Sequence, residues 1–275
     1  MHNITHRTKG AILIELIISL ALGLLLFAIL FQLYLLTERS YRLQTALNQL
    51  QQQGTSAMAA LRAAVHKAGY IGCARLTSGF PVRGFQNYTL TAQNKLQATD
   101  NGHIVVRHAA VQHATLVEDM HDYLFMLTNK QIQYAKGDIL IISDCVSAEI
   151  FQVAEVHRTH GQQKILPSRA LLRSYSKNSE VARLVWEEYS IEHSKNKNGS
   201  PMMALHVQGL KQGKVALVEG IESMQVMVTV NDQGSDQDLP VSWIDDWSQV
   251  TGLAVTLALV ASPYKKNWYG YFAVT

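Results

Sequence analysis

One hydrophobic segment, close to the start of the sequence, is much longer than any other. From Ala11 to Leu36 every residue is apolar or uncharged except Glu15. A helix of about 20 apolar residues crosses the hydrocarbon core of a bilayer, so this segment is long enough to span a membrane. A carboxylate inside such a span costs a few kcal/mol at the bilayer centre and less near an end. The pattern therefore predicts a transmembrane helix over residues 11–36 that carries one charged group near its start.

The helical pattern continues beyond residue 36 in an amphipathic form. Apolar residues recur at spacings of three, four or seven, with polar side chains between them, and no proline interrupts residues 11–69. We therefore predict one N-terminal helix over residues 11–69. A coiled coil over residues 37–68 is the alternative. It is less favoured, because the apolar seam is rich in alanine and has few flanking charge pairs. The apolar positions are Leu43, Leu47, Leu50, Ala57, Leu61, Val65 and Ala68.

Residues 70–275 are predicted to form one globular head that is rich in β-strands. Short apolar or alternating runs are separated by polar or glycine-bearing turns, with clear turns at residues 136–138 and 195–200. Residues 231–238 are too polar for a core and are expected to form a loop. A long helix that leads into an antiparallel-rich sheet is an α+β architecture. The predicted strands cover residues 103–108, 123–127, 138–143, 149–157, 202–207, 221–230 and 250–261.

Residues 1–10 are polar and basic, with Arg7 and Lys9 ahead of Gly10. Positive charge before a membrane span favours a cytoplasmic location for these residues. A secretory signal has a shorter apolar core that ends at a cleavage site of small residues. Here the small residue precedes the apolar run, which continues without such a stop. An uncleaved signal anchor, in which Glu15 has no role, is the plain alternative.

This order, Lys9-Gly10-Ala11 followed by an apolar run that contains Glu15, resembles the leader of the type IV prepilin superfamily. In that family a membrane-bound prepilin peptidase cleaves after the glycine and methylates the new N-terminus. The resemblance assigns cleavage to the bond between Gly10 and Ala11, and methylation to Ala11. It also implies a long helix packed on a β-rich head in the periplasm. The chain departs from the usual pattern at Ala11 and Ile12, where the family commonly has phenylalanine and threonine.

Glu15 gains a role from the same resemblance. Cleavage would leave a free amine on Ala11, cationic near neutral pH. Glu15 lies one helical turn further on, so its carboxylate can compensate that amine on its own chain or on a neighbouring subunit. The resemblance implies that Glu15 guides assembly with other minor and major pilins at the pilus assembly platform. The chain would then sit in the bacterial inner membrane and enter the pilus after assembly.

Parts of the head resemble the PilW-type minor pilins in particular. The matching segments are Tyr41-Arg42-Leu43-Gln44, Ala68 to Cys73, Gly137-Asp138 with Asp144-Cys145, and Leu217 to Gln225. The expected function is a minor pilin that primes or joins a type IV pilus through packing of its N-terminal helix. The larger J-type minor pseudopilin of type II secretion shares the leader and the head size, and is the alternative. A pilus-associated subunit that binds DNA or a surface is a further alternative.

The two cysteines, Cys73 and Cys145, do not form a CxxC pair, which argues against metal binding and thioredoxin-like chemistry. The anchor and the basic leader place the head across the membrane, where disulfides persist. We therefore predict a disulfide between Cys73 and Cys145, worth about 4 kcal/mol at most by chain entropy. Two separate buried thiols are the alternative.

No motif for catalysis, a metal or a cofactor is present, and we predict that the protein is not an enzyme. The histidines at 103, 108, 113 and 121 do not have the spacing of a metal-binding helix. Asp232, Asp236 and Asp238 lack the spacing of an EF-hand, so a solvated loop is favoured over a calcium site. Nucleophile elbows, phosphate loops and paired catalytic carboxylates are also missing from the sequence.

Nucleic acid is an unlikely partner on charge alone. The net charge is +3 and the isoelectric point about 8.8, without a broad basic run. The one basic and aromatic cluster holds Lys265, Lys266, Trp268, Tyr269 and Tyr271. Such a cluster can stack single strands. It is more typical of an edge strand whose aromatic side chains pack inward while its lysines protect the edge.

Overall fold

The computed structural model describes residues 8–159, 161–195, 199, 201–232 and 235–274. Within these residues the chain forms one long apolar α-helix at the N-terminus and two sheets of mainly antiparallel strands, which confirms the α+β class. The chain divides into two compact units, Met1–Gln51 and Gln52–Thr275. The last part of the helix therefore belongs to the same unit as the sheets.

Helix α1 spans Thr8–Lys67. The strands are β1 Val82–Arg83, β2 Leu96–Ala98, β3 Ile104–Thr115, β4 Met126–Asn129, β5 Ile139–Ser143, β6 Ala148–Arg158 and β7 Gln162–Pro167. They continue with β8 Glu180–Lys195, β9 Pro201–Gly209, β10 Val215–Glu219, β11 Ile221–Asp232, β12 Ser235–Pro240, β13 Val250–Ala261 and β14 Tyr264–Ala273. Two short 3-10 helices, Val241–Trp243 and Trp247–Gln249, connect β12 to β13.

Helix α1 ends where the backbone turns at Gly69. Gly69 has a φ of 72°, a left-handed conformation in which glycine has no steric penalty, and such a residue commonly terminates a helix. His66 and Lys67 place basic side chains in the last turn, where the helix dipole favours them. The Gly69 amide then donates to the Arg107 carbonyl at 2.9 Å, which directs the chain onto β3.

The last part of α1, from Gln52 onward, packs against the sheet that contains β14. Ala57, Leu61 and Val65 are fully buried, as the predicted apolar stripe requires. Gly54 allows close contact with the Trp268 ring of β14, because any Cβ at this position would overlap that ring. The predicted stripe is buried only from Leu50 onward, since Leu43 and Leu47 are 38% and 46% exposed.

The larger sheet has ten strands and the smaller has four. In the larger sheet the strand order is β10-β9-β8-β5-β6-β7-β4. In addition, β3 pairs with β8, β2 with β3 and β1 with β6. The smaller runs β12-β11-β13-β14, with all its pairs antiparallel. Strand β5 is buried on both faces: Leu140 and Ile142 belong to one apolar cluster, and Ile139 and Ile141 to another. This explains its unbroken apolar sequence.

Each predicted strand corresponds to a strand in the structure, although some bounds differ. Strand β4 begins only at Met126, and Tyr123 and Leu124 before it are exposed. Gly137 has a φ of 82°, in agreement with the predicted turn. The turn predicted at residues 195–200 falls largely on residues outside the described ones.

The loop predicted at residues 231–238 is wrong at both of its ends. Asn231 and Asp232 belong to β11, and Ser235 begins β12. Cross-strand hydrogen bonds satisfy the polar side chains there, because Asn231 donates to Asp236 at 2.8 Å and Thr229 donates to Asp238 at 2.6 Å. A polar composition therefore did not prevent pairing at an exposed sheet edge.

Candidate functional site

The N-terminal half of α1 exposes an apolar surface on all of its sides. Every large apolar side chain from Leu13 to Leu36 is between 39% and 67% exposed. Water-soluble proteins rarely leave a continuous apolar patch of this size uncovered. By length and composition this part of the helix can cross a membrane. An apolar environment is therefore the natural surrounding for these residues.

Gly10 and Ala11 lie in the first turns of α1, which begins at Thr8. The structure gives their backbone only, since the side chains of residues 8–12 fall outside those it describes. Cleavage between Gly10 and Ala11 and methylation of Ala11 stay predictions.

Glu15 is exposed on this apolar surface. Among the side chains that the structure describes, Glu15 makes no ion pair or hydrogen bond. The next charged group along the helix, Glu38, by contrast pairs with Arg42 one turn later, at 2.6 Å. Within the described part of the helix, Glu15 is therefore a carboxylate without a partner in a segment that is otherwise largely apolar.

Cys73 and Cys145 form a disulfide in the structure, with their Cα atoms 5.4 Å apart. Cys73 lies six residues after the end of α1, and Cys145 lies in the turn between β5 and β6. The Asp144 side chain shapes that turn by accepting hydrogen bonds from the amides of Val146 at 3.2 Å and Ser147 at 3.0 Å. The predicted cysteine pairing therefore agrees with the fold.

Backbone hydrogen bonds hold the segment around Cys73 onto the larger sheet. The Ala109 amide of β3 donates to the Tyr70 carbonyl at 2.6 Å, and the Leu76 amide donates to the Gly69 carbonyl at 2.8 Å. Ile71 and Leu76 are buried in an apolar cluster with β5 and β6. The disulfide thus adds a covalent link to a helix end that packing and hydrogen bonds already fix.

A buried carboxylate on β6 was not predicted. The side chain of Glu149 on β6 is 2% exposed and lies 3.1 Å from Arg83 and 3.7 Å from Arg169. It also accepts a hydrogen bond from the Leu172 amide at 2.9 Å. A buried charge is tolerated only when it is paired and hydrogen-bonded in this way. Spacing along the chain holds no signal for this group, because its partners lie far apart in sequence.

The histidines singled out in the sequence do not converge. His103 lies 2.8 Å from Glu188, and His113 lies 3.8 Å from Glu180. His108 is buried, and that burial lowers its pKa, although contact of Nδ1 with the Ala109 carbonyl at 2.7 Å opposes the shift. Among the residues that the structure describes, no three His, Cys, Asp or Glu side chains are placed to hold a metal ion.

The C-terminal basic and aromatic cluster lies on β14, an edge strand, as expected. Its aromatic side chains do not all pack inward. Trp268 packs towards α1, whereas Tyr269 and Tyr271 point to the opposite face and are 73% and 48% exposed. Lys265 pairs with Glu222 at 2.8 Å, and Lys266 lies 5.4 Å from the centre of the Trp268 ring. The outward tyrosines follow from the alternation of side chains along a strand.

No family model, curated protein or solved structure showed significant similarity to this chain. The structure by itself defines a class: an α+β protein with one N-terminal helix that suits a membrane span and a disulfide-bonded β-rich head.

Proposed function

We propose that this chain is a minor pilin, of the PilW type, that primes or joins a type IV pilus. The observation that carries the proposal is Glu15, a carboxylate without a partner among the described side chains, on a helix surface whose large side chains from Leu13 to Leu36 are mostly apolar. The prepilin-like order of Lys9, Gly10 and Ala11 ahead of it supports the same interpretation.

The proposed location is the inner membrane, with the head in the periplasm. The exposed apolar half of α1 serves as the anchor, and basic residues before it hold the leader in the cytoplasm. The disulfide supports an oxidising compartment for the head, because disulfides form and persist there.

Assembly follows from the charges at the start of the mature helix. Cleavage after Gly10 frees a cationic amine on Ala11, and Glu15 is the carboxylate one turn away. Within a bilayer neither charge is well solvated, so their pairing between neighbouring subunits favours side-by-side docking of helices. No residue is assigned a catalytic role, and no cofactor is needed.

The head contributes a rigid attachment for the second half of the helix. Ala57, Leu61 and Val65 are fully buried, and the disulfide adds a covalent link just beyond the helix end. The exposed surfaces of the head remain available for contact with other minor pilins.

The test compares three variants of the full chain in cells that make pili. Glu15→Ala removes the charge, Glu15→Gln removes the charge but keeps the shape, and Gln32→Ala is a matched polar-to-alanine control in the same segment. We expect normal membrane abundance for all three, since replacing a charged or polar side chain in the span only favours insertion. Pilus number should fall for both Glu15 variants and stay normal for Gln32→Ala.

Mass spectrometry of the membrane form supplies the second measurement. The wild-type chain and the Glu15 variants should begin at Ala11, whereas Gly10→Val should retain residues 1–10. An intact leader on the wild-type chain would refute the prepilin interpretation. Normal pili with Glu15→Ala would refute the assembly role, and lost type II secretion with unchanged pili would indicate the J-type pseudopilin instead.

A further inference from the structure

The larger sheet has a gap beside β8. One edge of β8 pairs with β3 from Glu180 to Tyr189. The other edge pairs with β5 only up to Arg183, and with β9 only from Glu187 onward. Residues 184–186 therefore have no strand neighbour on that edge within the part of the chain that the structure describes. The two strand ends beside these residues leave an opening at this edge of β8.

A cleft of about 460 Å³ opens at this gap. A second cleft of about 270 Å³ adjoins it and shares part of its lining, so that the two form one site. This combined volume lies in the usual range for small-molecule sites in proteins. The shared residues are Tyr88, Leu184, Trp186, Gly209 and Leu210.

The site has one apolar and aromatic side and one polar side. Side chains alternate along β8, so Leu184 and Trp186 lie on one face of the sheet while Arg183 and Glu187 lie on the other. Tyr88 borders both clefts near Trp186. Uncharged amide side chains also line both clefts: Gln152 and Gln212 in the larger, and Asn87 and Gln208 in the smaller.

Each charged side chain of the larger cleft already has an ion-pair or hydrogen-bond partner within the protein. Asp138 pairs with Arg183 at 3.3 Å and with Lys211 at 2.5 Å, and Glu187 accepts a hydrogen bond from Tyr189 at 2.8 Å. Burial by itself would raise the pKa of Asp138, but the Lys211 hydrogen bond and the nearby cations outweigh burial and lower it. With two carboxylates and two cations, the larger cleft selects neither an anion nor a cation. The smaller cleft adds Arg107, whose guanidinium already donates to the Asn94 carbonyl and to the Gln97 side chain.

The shape of the gap favours a compact ligand over an extended peptide. Strand β5 begins at Ile139 at one end of the gap, and β9 finishes at Gly209 at the other. Because both strands lie along the same edge of β8, they block an extended peptide from passing through. A ligand must enter from the surface and fit between the two strand ends.

We propose that this cleft binds a neutral saccharide of a few sugar rings. A pyranose ring presents C–H groups that stack on an aromatic side chain such as Trp186. Its hydroxyl groups both donate and accept, which suits the side-chain amides and the charged side chains of the cleft. This inference is independent of the proposed assembly role, because the cleft lies wholly within the unit Gln52–Thr275.

The test uses the full chain in a detergent without a sugar headgroup, such as a dimethylamine oxide. The probes are maltotriose, cellotriose and triacetylchitotriose, with sialyllactose and trialanine as charged-sugar and peptide comparisons. Ligand-observed saturation-transfer NMR, followed by titration, measures binding. We expect at least one neutral trisaccharide to bind with a dissociation constant below 10⁻² M, on the order of mM, and sialyllactose and trialanine not to bind more tightly.

Three variants separate the cleft from the rest of the surface. Trp186→Ala should weaken binding at least about tenfold, since aromatic stacking supplies much of the contact. Gln212→Ala changes an exposed residue and should weaken binding by a few fold with an unchanged unfolding midpoint. Trp243→Ala, which removes a 70% exposed tryptophan outside the cleft, should leave binding unchanged.

The proposal fails if none of the three neutral probes binds. It also fails if the peptide or the charged sugar binds more tightly than every neutral probe. Binding that survives both Trp186→Ala and Gln212→Ala without change would place the sugar elsewhere on the chain, and would equally overturn it.

Discussion

The two halves of α1 have the same secondary structure but opposite relations to solvent. Leu25 in the first half is 60% exposed, whereas Leu61 in the second half is fully buried. The first half is apolar on every side, and the second carries a narrow apolar stripe between polar residues. A narrow stripe is covered by one protein surface, while an all-round apolar helix needs lipid or several partners. One continuous helix therefore serves two environments.

The charged groups of the two units differ in the same way. Glu149 in the head is buried and has two arginine partners within 4 Å. Glu15 in the first unit is exposed on apolar surface and has no partner among the described side chains. The buried charge of Glu149 is satisfied within the head, whereas Glu15 has no such partner among the described side chains. This contrast is why Glu15, and not a buried carboxylate, is the proposed assembly residue.

The largest expected effect comes from placing an aspartate in each half of the helix. Leu61→Asp should destabilise the head by about 5 kcal/mol or more, because it removes a buried side chain and leaves an unpaired charge. Leu25→Asp should leave head stability unchanged and reduce membrane insertion, at a cost of about 2.5 to 3.5 kcal/mol near the bilayer centre. Urea unfolding in micelles and membrane fractionation measure the two effects.

Equal loss of head stability in both variants would break the comparison. It would mean that the first half of the helix also depends on packing within the head. The outcome would contradict the high exposure of Leu25.

Loss of the disulfide should have the next largest effect. The bond links residues 72 positions apart, for which chain entropy gives about 4 kcal/mol at most. Cys73→Ser and Cys145→Ser should each lower the unfolding free energy of the head by a similar amount, and membrane insertion should not change. Alkylation of the native protein should find no free thiol until a reductant is added.

The double variant Cys73→Ser with Cys145→Ser serves as the control, because reductant should no longer change its stability. Two thiols that are alkylated freely in the native wild-type chain would contradict the bridge.

The smallest expected effect distinguishes two glycines of the same helix. A Cβ at Gly54 would overlap the Trp268 ring, whereas Gly23 has no neighbouring atom within 4 Å of that position. Gly54→Ala should therefore cost about 1 to 3 kcal/mol of head stability through overpacking. Gly23→Ala should leave head unfolding unchanged and favour the helix by up to about 1 kcal/mol.

Thermal unfolding of the head and circular dichroism of the helix provide the measurements. If Gly54→Ala proved neutral, the close contact of α1 with Trp268 would not be part of the native packing.

The sequence by itself determined the features that depend on local pattern. An apolar run without proline was enough to predict α1, whose observed bounds Thr8–Lys67 differ from the prediction by two or three residues at each end. Strands β5, β11 and β13 were visible because they are apolar or alternate regularly. A single pair of cysteines left only one possible intramolecular bridge. These signals lie within a short stretch of chain or in the residue count.

The prediction missed β1, β2, β7, β8, β10 and β12. Strand β8 is the clearest case, since Glu187 and Glu188 interrupt its apolar alternation, although it lies between β3, β5 and β9 in the sheet. Its polar side chains are accommodated by cross-strand partners, such as His103 for Glu188. Pairing energy that comes from distant strands leaves little trace in the local pattern.

Only the tertiary structure decided which polar residues meet. Asp138 and Lys211 are 73 positions apart in sequence yet form an ion pair beside the β8 gap. Glu149 meets Arg83 and Arg169 in the same way, and the cleft around Trp186 exists only because β5 and β9 both stop short of it. Strand register sets these contacts, and register depends on the whole sheet. The apolar helix can therefore be predicted from the sequence, whereas the proposed cleft can be recognised only in the tertiary structure.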